Sequence, residues 1–298
     1  MSLSIVIITH NEEANLGRTL ESVKPLVSDG KGEIIVVDSG SSDCTVEIAK
    51  SFGAKVFVEE WKGYAAQKNS AIDKATGDWI LSLDADEEVS ASLANEIASS
   101  LAYQYLCEQN QGVPGSAADR LQAIFQVQRE SGIPLTRFTF GYWFQRKNFF
   151  LGRWIQRGGF WPDPKLRLFR CGAGQFDSRA VHEDVRLDGP SATLDGALLH
   201  HSYPTLSDYI EHMNRYSSLG AEMVVAKTNG KVRFSFINIA LRPLATFVYN
   251  YFFRLGFLDG REGLLLHLYH AVYVSWKYSK AWELSRKQSP TATDRPVV

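Results

Sequence analysis

Acidic side chains crowd the end of one predicted strand. Residues 80–83 form an apolar run, and Asp84, Asp86, Glu87 and Glu88 follow it. Because alternate residues at a strand end point to the same side, Asp84 and Asp86 can face one point, where a divalent cation carrying a diphosphate would neutralise their repulsion. This spacing predicts a metal and nucleotide site. The alternative, a solvated turn, applies best to Glu87 and Glu88, which we expect at a helix N-terminus that favours negative charge.

An alternation of strand and helix patterns would position these acids. Apolar runs bounded by polar turns predict a parallel sheet covered by helices on both faces. In such sheets ligands bind beyond the carboxyl ends of the strands, and here polar segments follow three of them, at residues 9–13, 38–43 and 84–86. Three loops would therefore face one crevice. The predicted strands are residues 4–9, 33–38, 54–58 and 78–83, and the predicted helices are residues 13–27, 43–52 and 63–75.

Phosphate-binding glycine motifs do not follow the early strands. Neither a GxGxxG turn nor a GxxxxGK loop is present, which argues against a dinucleotide enzyme and a P-loop ATPase. A metal held by carboxylates is the obvious substitute for a glycine cradle. Asp38 ends the apolar run 34–37, where its carboxylate could accept a hydrogen bond from a ring nitrogen of a base.

Charge is distributed unevenly along the 298 residues, although the formal net charge is only −1. Residues 1–100 hold 17 acids and 8 basic residues, whereas residues 227–298 hold 4 acids and 11 basic residues. The acidic part suits a cation site, and the basic, aromatic part suits an anionic surface such as a membrane. Nucleic acid is a disfavoured partner, because the basic residues alternate with long apolar segments and are not gathered on a polar face.

Cysteine usage and the start of the chain bear on the compartment. Three cysteines, Cys44, Cys107 and Cys171, lie far apart and match neither a disulfide framework nor a zinc site. The sequence enters the first predicted strand directly after Met1, without a basic leader. We therefore expect a cytoplasmic chain.

Four segments in order resemble family 2 glycosyltransferases with the GT-A fold: residues 7–13, 36–43, 63–69 and 77–87. Later segments look like the subgroup of lipopolysaccharide core β-glucosyltransferases. They are residues 146–148, Gly152, and residues 157–159, 161–163, 167–169, 181–183 and 199–200. The resemblance implies a Rossmann-like α/β fold of the GT-A type, with a mostly parallel sheet and helices on both faces, plus a C-terminal helical region. The expected domains are a catalytic domain over residues 1–204, a helical region over 205–285 and a disordered tail over 286–298.

The resemblance also implies roles for individual side chains on the donor side. Asp84 would lie near the ribose and the donor sugar, and Asp86 would coordinate Mg²⁺ or Mn²⁺. His200 is a candidate further ligand of the metal or phosphate, with a packing role as the alternative. The residues expected to hold the uridine and diphosphate are Thr9, Glu12, Asp38 and Lys68.

An inverting transfer needs a carboxylate that removes the proton of the acceptor hydroxyl. The resemblance supports Glu183, and the adjacent Asp184 stays open. In an extended segment neighbouring side chains point to opposite faces, so only one of the two should reach the crevice. A solvated turn is the alternative, and His182 could orient the base or contact the diphosphate. Three residues are candidates for shaping the acceptor site, although the arginine could simply pair with an acid: Trp161, Asp163 and Arg167.

Two regions lie outside the catalytic pattern. Residues 102–135 are read as a helix, a loop and a second helix inserted over the acceptor side. A neutral insertion is the simplest interpretation, with a lid or a dimer contact as the alternatives. Residues 205–227 suit an amphipathic helix stopped by Asn229 and Gly230, and two apolar, aromatic segments follow at residues 234–257 and 262–284.

These last segments are expected to lie on a membrane surface. The longest charge-free run, residues 263–276, is shorter than the ~20 residues that cross a bilayer. The alternatives are a helical pair packed on the catalytic domain and a homodimer interface. The residues expected in the headgroup zone are Tyr249, Tyr251, Phe252, Phe253 and Trp276, with Arg242, Arg254, Lys277 and Lys280 near lipid phosphates.

Together these features predict a metal-dependent inverting hexosyltransferase. It would move a hexose, with glucose as the first choice, from a UDP-sugar to a lipopolysaccharide core or another lipid-linked acceptor at the cytoplasmic face of the membrane. The alternatives are a polyprenyl-phosphate glycosyltransferase, which needs no strong base, and a catalytically silent, membrane-associated binding module.

Overall fold

The structure, a computed structural model, describes residues 1–30, 32–109, 139–177 and 184–288. The chain divides into two units. The first comprises Met1–Lys147 and Asp163–His200, and the second comprises Asn148–Pro162 and His201–Val298. The predicted boundary between residues 204 and 205 stays a prediction.

The four predicted parallel strands are present: β1 (Leu3–Thr9), β2 (Gly32–Asp38), β3 (Lys55–Val58) and β4 (Trp79–Asp84). β1 lies between β2 and β4, and β3 pairs with β2. Alternate residues of β1 pack on opposite faces, with Ile5 and Ile7 in one apolar cluster and Val6 in another. Burial on both faces explains why β1 is apolar almost throughout.

Helices connect these strands as predicted. Their bounds are α1 (Leu16–Val27), α2 (Thr45–Ser51) and α3 (Tyr64–Ile72), and α4 (Ala91–Gln109) follows β4 and a short strand. Leu16, Leu20 and Val23 of α1 recur at helical spacing and are fully buried against the sheet.

Beyond β4 the sheet becomes antiparallel. β8 (Pro164–Arg170) pairs with β4 and β6 (Gly141–Phe150) with β8; β11 (Ser191–Tyr203) lies next, followed by β5 (Glu87–Val89). The end of β6 also pairs with β7 (Arg153–Trp154), while β9 (Gly174–Phe176) and β10 (Val185–Leu187) form a separate pair. The α/β architecture is thus confirmed, with a mixed sheet.

The prediction that Glu87 and Glu88 start a helix is wrong. A tight turn follows Asp84, and both glutamates belong to β5, which pairs with β11. The helix α4 begins only at Ala91. The strand is favoured because Val89 enters the core, while the buried Glu87 finds arginine partners there.

The second unit is mainly helical. Its α-helices are α5 (Leu206–Lys227), α6 (Arg242–Val248) and α7 (Gly260–Gln288), with π-helical turns at Ile237–Leu241 and Tyr249–Phe253 on either side of α6. Thr205 and Asp208 form a reciprocal capping box at the start of α5. Asn229 and Gly230 follow α5 with positive φ angles of 49° and 77°, which confirms the predicted stop.

Two of the predicted segments lie partly outside the residues that the structure describes. Residues 102–109 of the predicted insertion belong to α4, and residues 110–135 lie outside the described residues. Residues 286–288 of the predicted tail belong to α7, and the rest likewise lies outside. Within the described chain, no helix combines the length and apolar character needed to span a membrane.

Candidate functional site

The carboxyl ends of β1, β2 and β4 meet at one edge of the sheet. Thr9, the last residue of β1, lies opposite Asp38 of β2, and Ile8 lies opposite Asp84 of β4. The parallel register therefore brings residues that are distant in sequence to one place, as predicted for a ligand-binding edge.

Asp38 is buried, and its carboxylate fixes the loop after β2. It accepts hydrogen bonds from the hydroxyls of Thr9 (2.8 Å) and Ser41 (2.5 Å), and from the backbone N–H groups of Gly40 (2.9 Å) and Ser41 (2.8 Å). Four donors explain how a carboxylate is tolerated at this buried position. The uridine contacts expected of Thr9 and Asp38 stay predictions.

Asp84 is paired with two cations. Its Oδ1 lies 2.7 Å from Nζ of Lys68, and its Oδ2 lies 2.6 Å from Nη2 of Arg167. Burial opposes ionisation of Asp84, but the charges of Arg167 and Lys68 hold its pKa well below the usual range. Its side chain keeps 27% exposure, so an ionised carboxylate stays partly accessible to solvent while both its oxygens are engaged.

Glu87 lies at the centre of this ion-pair network. Its Oε1 accepts hydrogen bonds from Arg146 (3.0 Å) and Arg167 (3.1 Å), and its Oε2 accepts one from the backbone N–H of Asp84 (3.0 Å). Burial lowers the pKa of each guanidinium, but the neighbouring acids more than compensate, so both arginines have a raised pKa. A carboxylate with 0% exposure is therefore balanced by opposite charge.

Sequence reasoning missed Glu87 and Arg146 as parts of the site. A signal was present: Arg146 lies within a strand, Gly141–Phe150, in which five of the ten residues are aromatic. A charge in the middle of such a strand requires an acidic partner. Nothing in the sequence pattern shows which acid that partner is.

The turn between β4 and β5 is held from both sides. The buried hydroxyl of Thr19 in α1 donates a hydrogen bond of 2.6 Å to the carbonyl of Ala85, and Glu87 binds the backbone N–H of Asp84. These contacts leave little freedom to the turn and hence to the position of Asp86.

Asp86 and His200 lie in direct contact. His200 of β11 lies opposite Glu87 of β5, and its Nε2 is 3.2 Å from Oδ2 of Asp86. Burial would raise the pKa of Asp86, but His200 lowers it below its ordinary value. The two side chains retain 24% and 16% exposure, so a ligand in solution can reach them.

Glu12 adds to the negative character of this edge. Burial raises its pKa, and the charges of Asp86, Asp43 and Asp84 raise it further, against a hydrogen bond from Asn15. An acid whose ionisation is opposed by neighbouring carboxylates indicates that the site favours a cation.

Asp86 and His200 fit part of a divalent cation site. A carboxylate oxygen and an imidazole nitrogen are suitable ligands, and Mg²⁺ is commonly held by one or two carboxylates together with substrate phosphates. Across the described ranges, no cluster of three or more metal-ligating side chains occurs. A cation here would therefore need oxygens from a diphosphate and water to complete its coordination.

Of the two candidates for the general base, only Asp184 is among the described residues. Glu183 and His182 are outside the described residues, whereas Asp184 is exposed and its carbonyl accepts the backbone N–H of Asp177 at 3.1 Å. The strand before this segment is fixed to α3, because the amide of Asn69 exchanges two hydrogen bonds of 2.9 Å with the backbone of Phe176. The ring of Phe176, the last residue of β9, also lies 5.1 Å from Nζ of Lys68, so β9 ends beside a donor-site candidate.

The three predicted acceptor-site residues do not all belong to one unit. Asp163 pairs with Arg146 (2.8 Å) and Lys165 (3.0 Å), and Arg167 pairs with acids, as the alternative interpretation held. Trp161 belongs to the second unit, where its ring packs edge-on against Trp154. Acceptor roles for all three stay predictions.

The fold and this edge define a class of protein. A mostly parallel half-sheet with polar residues at its carboxyl edge, an antiparallel continuation and a C-terminal helical region are the architecture of a GT-A glycosyltransferase, and the match to a family model supports this class. Residues 4–155 match the sequence model of Glycosyl transferase family 2, and the chain belongs to this family.

Similar proteins cover nearly the whole chain. A glycosyltransferase of Rickettsia typhi is 32% identical over 291 residues, which covers 96% of this chain and 88% of the relative. The lipopolysaccharide core biosynthesis glycosyltransferase LpsC of Rhizobium meliloti is 29% identical over 290 residues, covering 95% and 93% of the two chains. The solved glucosyl-3-phosphoglycerate synthase of Mycobacterium tuberculosis, at 29% identity and a TM-score of 0.27, covers only 29% of this chain and 34% of its own, too little to support a statement about substrates.

Proposed function

We propose that the protein is a metal-dependent inverting glycosyltransferase that moves a hexose, with glucose as the first candidate, from a UDP-sugar to a lipopolysaccharide core or another lipid-linked glycan. The observation that carries this proposal is the contact of Asp86 with His200 at 3.2 Å, beside the ion pair of Asp84 with Lys68. Ligands for a cation and a fixed positive charge thus lie together where a nucleotide diphosphate would bind.

The two aspartates take unequal roles. Asp84 has both oxygens engaged by Lys68 and Arg167, whereas the carboxylate of Asp86 contacts the ring of His200. Asp86 is therefore the ligand offered to the metal, and Asp84 holds Lys68 in place beside the diphosphate. Thr9, Glu12 and Asp38 complete the side of the crevice that receives uridine.

Bound Mg²⁺ or Mn²⁺ would stabilise the negative charge that develops on the departing diphosphate. Asp86 provides a carboxylate oxygen for this ion and His200 a ring nitrogen. Lys68, held by Asp84, contributes a second positive charge to the same diphosphate.

A carboxylate on the opposite side of the sugar acts as general base. Glu183, with Asp184 as the alternative, removes the proton of the acceptor hydroxyl. The oxygen of this hydroxyl bonds to C1 of the sugar as the bond from C1 to the diphosphate breaks. Attack from the side opposite the leaving group inverts the configuration at C1.

A relative whose name gives its function supports the proposed acceptor. LpsC acts in lipopolysaccharide core biosynthesis, and the match to it includes the second unit as well as the first. We place the reaction at the cytoplasmic face of the membrane. The free, exposed cysteines Cys44 and Cys171 suit a reducing compartment.

A transfer assay with a donor panel tests the proposal. The purified protein is incubated with UDP-glucose, UDP-galactose, UDP-N-acetylglucosamine or GDP-mannose, a truncated lipopolysaccharide core, and either Mn²⁺ or EDTA. We expect one hexose to be added from a UDP-hexose in the presence of Mn²⁺ and none in EDTA. NMR of the product should show that the anomeric configuration is inverted relative to the donor. Transfer from GDP-mannose, transfer in EDTA, or retention of configuration would contradict the proposal.

A further inference from the structure

Exposed apolar side chains concentrate in one stretch of the second unit. Among the described residues, 13 of the 19 exposed large hydrophobic side chains lie between residues 234 and 268. The most exposed are Phe253 at 74%, Ile237 at 65% and Phe236 at 64%. Single exposed apolar residues are normal on a protein surface, whereas a concentration of them is typical of a binding surface.

The spacing of these residues places several on one side of a helical segment. Ile237, Leu241, Leu244, Tyr249 and Phe252 recur at intervals of three to five residues through α6 and the two π-helical turns. Each π-helical turn contains about one residue more than an α-helical turn, so the longer interval keeps the same side.

Contacts with α7 occupy another side of the same segment. The carbonyl of Ile239 accepts a hydrogen bond of 2.8 Å from the hydroxyl of Ser275, and the buried Pro243 lies within α6. The ring of Tyr251 faces His267 of α7 at 6.3 Å between centroids. The segment is thus anchored on one side and exposes apolar side chains on the other.

The charge of this stretch has a single sign. Residues 231–258 contain four basic residues and no acid. All four basic side chains are exposed: Lys231, Arg233, Arg242 and Arg254. The next acid, Asp259, is only 3% exposed, and its carboxylate accepts the backbone N–H groups of Gln156 (3.2 Å) and Arg157 (2.8 Å). No exposed acid within the stretch offsets its positive charge.

We propose that the exposed side chains of residues 231–258, here called the basic apolar surface, bind the surface of a lipid bilayer that carries anionic headgroups. Apolar side chains enter the boundary between headgroups and acyl chains while the cations meet lipid phosphates. Arg254, 5.4 Å from the ring of Tyr249, shows the combination of cation and aromatic ring that suits this boundary.

Charge argues against a second copy as the occupant. A symmetric dimer through this surface would place four cations against four cations, whereas an anionic bilayer neutralises them. Lys280, which is expected near lipid phosphates, belongs to α7 and lies outside the surface as defined, and its ammonium donates to Asn214, Ser217 and Ser218 of α5.

The test needs neither donor nor acceptor, so its outcome is independent of the proposed transfer. The full chain is mixed with vesicles of phosphatidylcholine alone or with added phosphatidylglycerol, and bound protein is measured by flotation. Two variants probe the surface: Phe252→Ser with Phe253→Ser, and Lys231→Glu with Arg233→Glu. The matched control is Leu219→Ser with Met223→Ser, which changes two exposed apolar residues of α5 outside the surface. Circular dichroism and thermal unfolding verify that each variant is folded.

We expect binding that requires phosphatidylglycerol, falls at least about tenfold in each surface variant and is unchanged in the control. Equal binding to neutral vesicles, or no vesicle binding by the folded wild-type chain, would overturn the proposal. A wild-type dimer that becomes monomeric in the Phe252→Ser, Phe253→Ser variant, without vesicle binding, would overturn it in favour of a second copy.

Discussion

Nε2 of His200 lies 3.2 Å from Oδ2 of Asp86. The two residues are distant in sequence and meet because β5, which follows Asp86, pairs with β11, which contains His200. Both belong to the first unit, as do Lys68 and Asp84. These four residues of the proposed donor site therefore all belong to one unit.

Glu87→Gln should destabilise the protein. The change removes the negative charge shared by Arg146 and Arg167 and leaves two buried guanidiniums with fewer counter-charges. The loss of one partner from a buried ion-pair network costs about 3–5 kcal/mol, and the retained amide oxygen should reduce this to about 2–4 kcal/mol. Urea unfolding at neutral pH measures the change.

The adjacent acid provides the control for this variant. Glu88 is 29% exposed at the side chain and lies 3.8 Å from a half-exposed Arg18. Glu88→Gln should cost less than Glu87→Gln, because a partly exposed carboxylate depends less on its partners than a fully buried one. Equal stabilities of the two variants would contradict the central role of Glu87 in the network.

Glu183→Gln should abolish most of the transfer without weakening donor binding. Loss of a general base lowers kcat by about 10²–10⁴-fold, because the acceptor hydroxyl keeps its proton as the bond to C1 forms. Asp184→Asn is the matched control and should retain activity. An inactive Asp184→Asn with an active Glu183→Gln would reverse the assignment, and full activity of both would favour a phosphate acceptor, as in polyprenyl-phosphate transferases.

The stability of the protein should fall as the pH drops from about 6.5 towards 4, in part through His267. This side chain is fully buried, its ring nitrogens have no hydrogen-bond partner in the described structure, and a methyl group at Gly158 or Gly256 would collide with the ring. Burial, with a smaller effect of His270, lowers the pKa of His267 to about 4 from 6.5. The unfolded chain therefore binds the proton first, which costs about 2 kcal/mol of stability at pH 5 relative to pH 7.5.

Unfolding in urea at both pH values tests this linkage. The difference in free energy of unfolding between pH 7.5 and 5 should shrink in His267→Asn, whatever the stability of that variant at pH 7.5. His10→Asn, which changes an exposed histidine, should leave the difference unchanged. An unaltered difference in His267→Asn would show that this imidazole does not titrate as described.

The sequence was sufficient to predict the parallel strands of the sheet and the meeting of the loops that follow them at one edge. The apolar runs of β1, β2 and β4 have the period and length of buried strands, and ligand-type residues at their ends necessarily share an edge. The resemblance assigns Asp86 to the metal and makes His200 a candidate ligand of the metal or the phosphate, and the structure brings the two side chains into contact.

The ion-pair network could not be derived in the same way. Glu87 follows Asp86 in a run of acids that resembles a helix start, and only the pairing of β5 with β11 and the proximity of Arg146 explain its burial. Such contacts depend on long-range packing, which local periodicity does not encode. The π-helical turns beside α6 could not be predicted either, because no local sequence pattern distinguishes them from an α-helix.

Binding of UDP to the wild-type protein and to Asp86→Asn, measured by titration calorimetry with Mn²⁺ or with EDTA, tests the central claim most directly. Asparagine keeps the shape of the side chain and removes the charge that the cation requires. We predict that UDP binding requires Mn²⁺ in the wild type and weakens at least about tenfold in Asp86→Asn, whereas Glu88→Gln binds as the wild type does. Equally tight UDP binding in EDTA, or wild-type affinity in a folded Asp86→Asn, would contradict the assignment of Asp86 to a metal and diphosphate site.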